Sequence, residues 1–232
     1  MDAYQVEIND QMVTIPKDKW TMVVGPVGSG KSKLFHRITS PSFKKKFFPQ
    51  DKIILLDSHS FFPQDKIKKE LLMNIEDQKT IETILKLFGI SSISTLFHLE
   101  PSAGMNQVLN FLYAYIKHPT IWILDQALSM IDPIHKKKLL SWFKKETKKN
   151  HLTVLYTSSD PEDILQVDQV IVYKEKVLFT GSKRKFYEEE KLVHSLGLEY
   201  PFDVELYHQL KYYNVFDKPI YDQERMIDHL WK

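Results

Sequence analysis

The chain has 232 residues, 43% of them hydrophobic and 27% charged, which is ordinary for a soluble globular protein able to bury one large α/β domain or a domain with a small subdomain. It lacks cysteine, which excludes disulfides and thiolate metal sites and fits a reducing cytosolic setting, and it has no apolar run of membrane-spanning length and no signal-peptide pattern. The net charge of +2 implies no polyanionic partner such as nucleic acid, and three arginines (Arg37, Arg184, Arg225) are too few and scattered for a small-molecule kinase, whose phosphoryl clamp needs several. The first elements are two short strands, with Val6 and Ile8 alternating and then Met12 to Ile15, ahead of a turn at Pro16-Lys17-Asp18. Residues 20–24 read as a buried strand, 33–38 as the first turns of a helix, and 52–57 as another strand. Helical periodicity follows over 66–75 and 78–88, the latter stopping at Gly89, and over 105–117. Strands 121–124 and 152–156 flank a helix over 134–149, and 169–173 with 176–179 form a hairpin around Lys174-Glu175. Strands alternating with helices imply a mostly parallel sheet.

The chemistry is concentrated in Gly25-Pro26-Val27-Gly28-Ser29-Gly30-Lys31-Ser32, which has the G-x-x-x-x-G-K-[ST] spacing of a phosphate-binding loop. Three of the chain's seven glycines fall in these eight residues, between a strand and a helix N-terminus. Glycines let successive backbone N–H groups turn inward around an anion. Lys31 brings a positive charge to the β/γ-phosphates, and the Ser32 hydroxyl is placed for Mg²⁺. About 90 residues later, Ile121-Trp122-Ile123-Leu124 ends in Asp125, the carboxylate such a site uses to complete the Mg²⁺ shell, and Ser129-Met130-Ile131-Asp132 follows.

Two further patterns stand out. Phe47-Phe48-Pro49-Gln50-Asp51-Lys52-Ile53 is repeated as Phe61-Phe62-Pro63-Gln64-Asp65-Lys66-Ile67; two copies make no solenoid, and the duplication is expected to be incidental. Lysines at 136–138, 144–145 and 148–149 fall mostly opposite the apolar stripe of their helix and are expected to face solvent. The last 35 residues, with five of the eleven tyrosines, are expected to pack as an extension.

With the loop, the strand Asp and the segment after it in place, the chain resembles the nucleotide-binding domain of ABC transporters. In that register the family's Leu-Ser-Gly-Gly-Gln signature falls on Pro101-Ser102-Ala103-Gly104-Met105, capping the helix over 105–117. The family's Thr-His-Asp switch falls on Ser158-Ser159-Asp160, its late Gly-Ser/Thr turn on Phe179-Thr180-Gly181-Ser182, and its Q-loop glutamine near Asp57. The likeness spans about residues 5–190. It implies an α/β P-loop NTPase of ABC type over 1–190, with a small N-terminal antiparallel portion, a reduced helical subdomain near 62–117, and an extension over 191–232.

The resemblance also implies ATP and Mg²⁺ as cofactors, with Ser32, Asp125 and, more weakly, Asp57 toward the metal; Ser102, Ala103 and Gly104 as the retained signature; and Tyr4 as a candidate to stack adenine. The departures concern catalysis. Gln126 replaces the Glu that polarises the attacking water, and an amide can orient water without taking its proton. Ser159 replaces the switch His, and Pro is lost after Gln126. Of the family's branches, the first nucleotide-binding domain of the multidrug-resistance-protein/cystic-fibrosis-regulator group is the expected relative. The implied function is Mg-ATP binding with weak or absent hydrolysis, in a head-to-tail pair with a second nucleotide-binding domain, a hetero-partner more than a second copy. Transmembrane domains of a transporter would hold the chain at the cytosolic face of a membrane. The alternatives are a working ATPase motor with a base from elsewhere, such as Asp57, and a structural module that binds no nucleotide. A GTPase is disfavoured by the lack of an Asn-Lys-x-Asp segment.

Overall fold

The computed structural model describes residues 2–60, 62–95, 100–213, 215–216 and 219–231. Strands β1 (Ala3–Ile8) and β2 (Gln11–Pro16) pair antiparallel through a tight turn in which Asn9 and Asp10 both have positive φ. Beside this ribbon lies a six-stranded sheet in the order β4-β5-β6-β3-β7-β8. Its strands are β3 (Trp20–Val24), β4 (Ile53–Asp57), β5 (Ile121–Asp125), β6 (Thr153–Thr157), β7 (Gln169–Lys174) and β8 (Lys176–Ser182). All pairings are parallel except β7–β8, the expected hairpin. The mostly parallel α/β sheet with a small antiparallel companion is therefore the architecture anticipated from the alternation of elements.

β3, β5 and β6 are buried at every position because helices cover both faces, and their unbroken apolar runs are the signature of such strands. The two-residue period divides them cleanly. Trp20, Met22, Trp122, Leu124, Val154 and Tyr156 face one core, while Val23, Ile121, Ile123 and Leu155 face the other. The second core is closed by α1 (Lys31–Ile38), α2 (Pro41–Phe47) and the β1–β2 ribbon, through Leu34, Phe35, Phe43, Val6 and Ile15. The first is closed by α3 (Gln64–Met73), α4 (Gln78–Leu87) and α5 (Ala103–Tyr115), all inserted between β4 and β5, and by α6 (Pro133–Lys149).

Beyond β8 come α7 (Lys183–Tyr187), α8 (Glu190–Ser195), α9 (Phe202–Tyr212) and α10 (Gln223–Leu230). Val193, Tyr200 and Val204 still belong to the main core, whereas Tyr207, Phe216 and Met226 form a small cluster of their own.

Two local expectations need correction. Phe179 to Ser182 are not a turn but the end of β8, and Ser182 caps α7 by accepting from the Lys185 N–H. The α6 lysines do not all face solvent. Lys136 is buried, 2.5 Å from Asp163, and Lys144 is half-buried, 2.7 Å from Asp168 and over the Trp20 ring. Helical period places side chains on a face, but carboxylates from the segment before β7 make two of these positions interior. Of the duplicated segment, Phe61 lies outside the described residues.

Candidate functional site

The loop Gly25–Ser32 leaves β3 at its C-terminal end and runs into α1. Gly28 and Gly30 have φ of 78° and 92°, the left-handed region that glycine enters without strain, and this turns the loop back over the helix N-terminus. Gly25 is required by contact, since a Cβ there would collide with the Tyr173 carbonyl oxygen. Open space surrounds Gly28, as a cradle for an anion requires.

The Lys31 ammonium lies within this cradle. It donates to the carbonyl oxygens of Gly25 at 2.6 Å and Pro26 at 2.9 Å and to the Ser29 hydroxyl at 3.2 Å. Burial lowers its pKa, and the Asp125 carboxylate opposes that shift. Lys31 is thus a half-buried cation held by neutral oxygens, whose charge an incoming phosphate would complete. Ser29 is buried, and Ser32 occupies the second position of α1.

Sheet register brings the carboxylates to the same edge. Asp57, Asp125 and Thr157 are the last residues of β4, β5 and β6 and lie side by side. Asp125 is buried and accepts a 2.6 Å hydrogen bond from the Thr157 hydroxyl. Asp57 closes its own turn, its Oδ1 accepting from the His59 N–H at 2.9 Å and the Ser60 hydroxyl at 3.0 Å. Gln126 follows Asp125 with a φ of 55°, its N–H donating to the Thr157 hydroxyl at 3.0 Å. This left-handed turn sends the chain out of the sheet toward Ser129-Met130.

Gln126 and Ser159 line one small cavity of about 170 Å³, together with Lys136. Ser159 also lines a cavity of about 290 Å³ with Gly25, Pro26 and Val27. The loop, the strand end and the switch position therefore converge. Ser102-Ala103-Gly104 lies at another place, the N-terminus of α5. There the Ser102 hydroxyl accepts from the Met105 N–H, and a Cβ on Gly104 would come within 2.6 Å of the Met130 carbonyl oxygen. Tyr4 is engaged elsewhere: its hydroxyl donates to Asp51 at 2.8 Å and its ring packs edge-on against Phe48.

Several residues at the site carry no motif and emerge only from the fold. The Tyr173 ring lies 3.6 Å from where a Gly30 Cβ would sit, and its hydroxyl accepts from Asn9 at the β1–β2 tip. Arg37 donates to the Asn9 side chain at 2.8 Å, and Glu175 N–H donates to the Ser29 carbonyl. Gln107, two residues into α5 beyond the signature, accepts from the Met130 N–H at 2.8 Å and so ties α5 to the segment after β5. Its only sequence signal is a polar residue on a buried helix face.

Comparison with known proteins places this geometry. Residues 8–129 match the ABC transporter family. The chain is 27% identical to the energy-coupling factor transporter ATP-binding protein EcfA1 of Lactobacillus johnsonii, over 99% of this chain and 92% of that one. It is 24% identical to EcfA of Malacoplasma penetrans, over 97% and 88% of the two chains. In fold it is similar to cbiO1 from Clostridium perfringens, part of the ABC transporter complex cbiONQ, with a TM-score of 0.58 at 19% identity, covering 88% of this chain and 97% of that one. These relatives correct the expected branch. The likeness to the multidrug-resistance-protein/cystic-fibrosis-regulator group rested on a few loop residues, whereas the energy-coupling factor proteins match along nearly the whole chain. From the phosphate loop through β5 and the sheet that aligns them, the chain belongs to the ABC transporter family as an ATP-binding domain.

Proposed function

We propose that this chain is an ATP-binding subunit of a transporter of the energy-coupling factor kind, which binds Mg-ATP and hydrolyses it slowly or not at all. One observation carries the proposal: an intact phosphate cradle with its lysine in place shares an edge with a catalytic position held by the neutral Gln126. The fit to the ligand is chemical. Gly28 leaves room, Lys31 has no counter-anion in direct contact among the described residues, and Ser32 and buried Asp125 are the oxygen donors a hard cation takes. Mg²⁺ bound there would neutralise phosphate charge.

Gln126 orients a water but cannot accept its proton, and Ser159 adds no charge. Asp57 is a poor substitute base because its Oδ1 is taken up within its own turn. Nucleotide occupancy would then shift a dimer between open and closed states, and turnover would add little. A competent second ATP-binding chain supplies what this one lacks, and membrane-embedded partners carry the transport path. The body through about residue 190 would form the nucleotide-binding unit, with the rest an extension packed on it.

Calorimetric titration with Mg-ATP tests this. The expected result is an affinity of about 1–100 μM that Lys31→Ala weakens at least about tenfold. Phosphate release is expected to be near background and to rise at least about a hundredfold in Gln126→Glu, the lower range for a restored general base. Lack of binding by the unmodified chain would overturn the assignment, and brisk turnover without substitution would overturn the weak-hydrolysis part alone.

A further inference from the structure

A cavity of about 620 Å³ lies away from the phosphate loop, between α7 and the segment leading into α10. It is lined by Lys183, Arg184 and Arg225, so two of the chain's three arginines, 41 positions apart in sequence, meet in one cleft. Among the described residues none of these three cations is in an ion pair, although eight other lysine and histidine side chains are. Among the described residues the Lys183 ammonium donates only to the Leu165 carbonyl, and burial lowers its pKa, partly opposed by Asp168. Of the two carboxylates on the lining, Asp222 is engaged as the cap of α10, accepting from the Arg225 N–H at 3.0 Å, which leaves Glu188.

The wall between the charges is aromatic and apolar, with Tyr187, Tyr221 and Ile220. Tyr187 is 3% exposed, and its buried hydroxyl has no hydrogen-bond partner among the described residues. Burial, and then the neighbouring Glu162 carboxylate, pushes its pKa up, so it remains a neutral donor or acceptor.

We propose that this cleft binds a phosphomonoester carried on a planar ring. Two guanidinium groups and an ammonium match a phosphate dianion better than a single carboxylate. Tyr221, half-buried on the lining, offers an aromatic surface to a ring, and the volume suits a ligand of nucleotide size. This site is separate from the Gly25–Ser32 loop, whose own phosphate affinity the experiment must distinguish.

Phenyl phosphate is the probe, titrated calorimetrically into the full chain with phenol as its uncharged counterpart. Phenyl phosphate is expected to bind and phenol is not. Arg184→Ala with Arg225→Ala, both exposed side chains, should weaken binding at least about tenfold, while Lys31→Ala leaves it unchanged. Equal affinity in the double arginine variant, loss of binding in Lys31→Ala, or no heat up to about 10 mM probe would each overturn the proposal.

Discussion

Lys31 and Asp168 show how the same chain treats half-buried charge in two ways. Lys31 is held by neutral oxygens and keeps an unmet demand for an anion. Asp168, by contrast, is satisfied internally. Its Oδ2 accepts from the Trp20 N–H at 2.9 Å and from Lys144 at 2.7 Å, joining the start of β3 to α6. Burial raises its pKa, but those two donors more than reverse the shift, so it is held below the usual carboxylate range. Lys144 is also held low, because burial costs its ammonium more than Asp168 returns. Since the folded pKa of Asp168 lies below the unfolded one, its contribution is full above the unfolded value and is lost as pH falls through the folded value. Asp168→Asn is therefore expected to cost about 1 kcal/mol near neutral pH, after allowance for its partial exposure to solvent, and the difference should shrink as pH falls below the usual carboxylate range. Urea unfolding of both proteins across that range measures it. The candidate site was legible at this scale where a residue type had a fixed spacing, as with Lys31, Ser32 and Asp125. Tyr173 and Asn9 were not, because they reach the loop from β7 and the β1–β2 tip and share no spacing with it.

Among the elements, α5 depends on its first turn. Ser102 caps it, and Gly104 lets it approach the carbonyl of Met130, while Gln107 bonds the same residue's N–H. Gly104 is not in a left-handed conformation, so its requirement is one of space rather than dihedral freedom. Gly104→Ala should push the two segments apart and cost about 1–3 kcal/mol, read as a fall in thermal or urea midpoint. The duplicated heptapeptide makes the complementary point. Gln50-Asp51-Lys52 is an irregular approach to β4, where Ile53 begins the strand. Gln64-Asp65-Lys66-Ile67 is the first turn of α3, and Ile67 is buried in the core on the opposite face of the sheet. Identical local sequence takes two conformations because the residues that follow differ: Ile54-Leu55-Leu56 continues a strand, whereas Lys68-Lys69-Glu70-Leu71 continues a helix.

For the molecule as a whole, one buried ion pair ties distant parts together. Lys136 in α6 is 2.5 Å from Asp163, which also accepts from the Tyr156 hydroxyl at 2.6 Å, and Lys136 reaches the Ser158 hydroxyl at 3.3 Å. The helix after β5 and the segment after β6 are thus fixed to each other beside Gln126 and Ser159. Lys136→Ala would strand the Asp163 carboxylate and is expected to cost about 3–5 kcal/mol, measurable by denaturant unfolding. The sequence by itself determined the alternation of strands and helices, the mostly parallel sheet and the phosphate loop, because period, glycine placement and motif spacing are local properties of a chain. Only the tertiary structure decided which lysines are interior, which tyrosine borders the loop, and that Arg184 and Arg225 share a cleft. Those outcomes depend on which segments lie side by side, and that is set by burying both faces of the sheet at once.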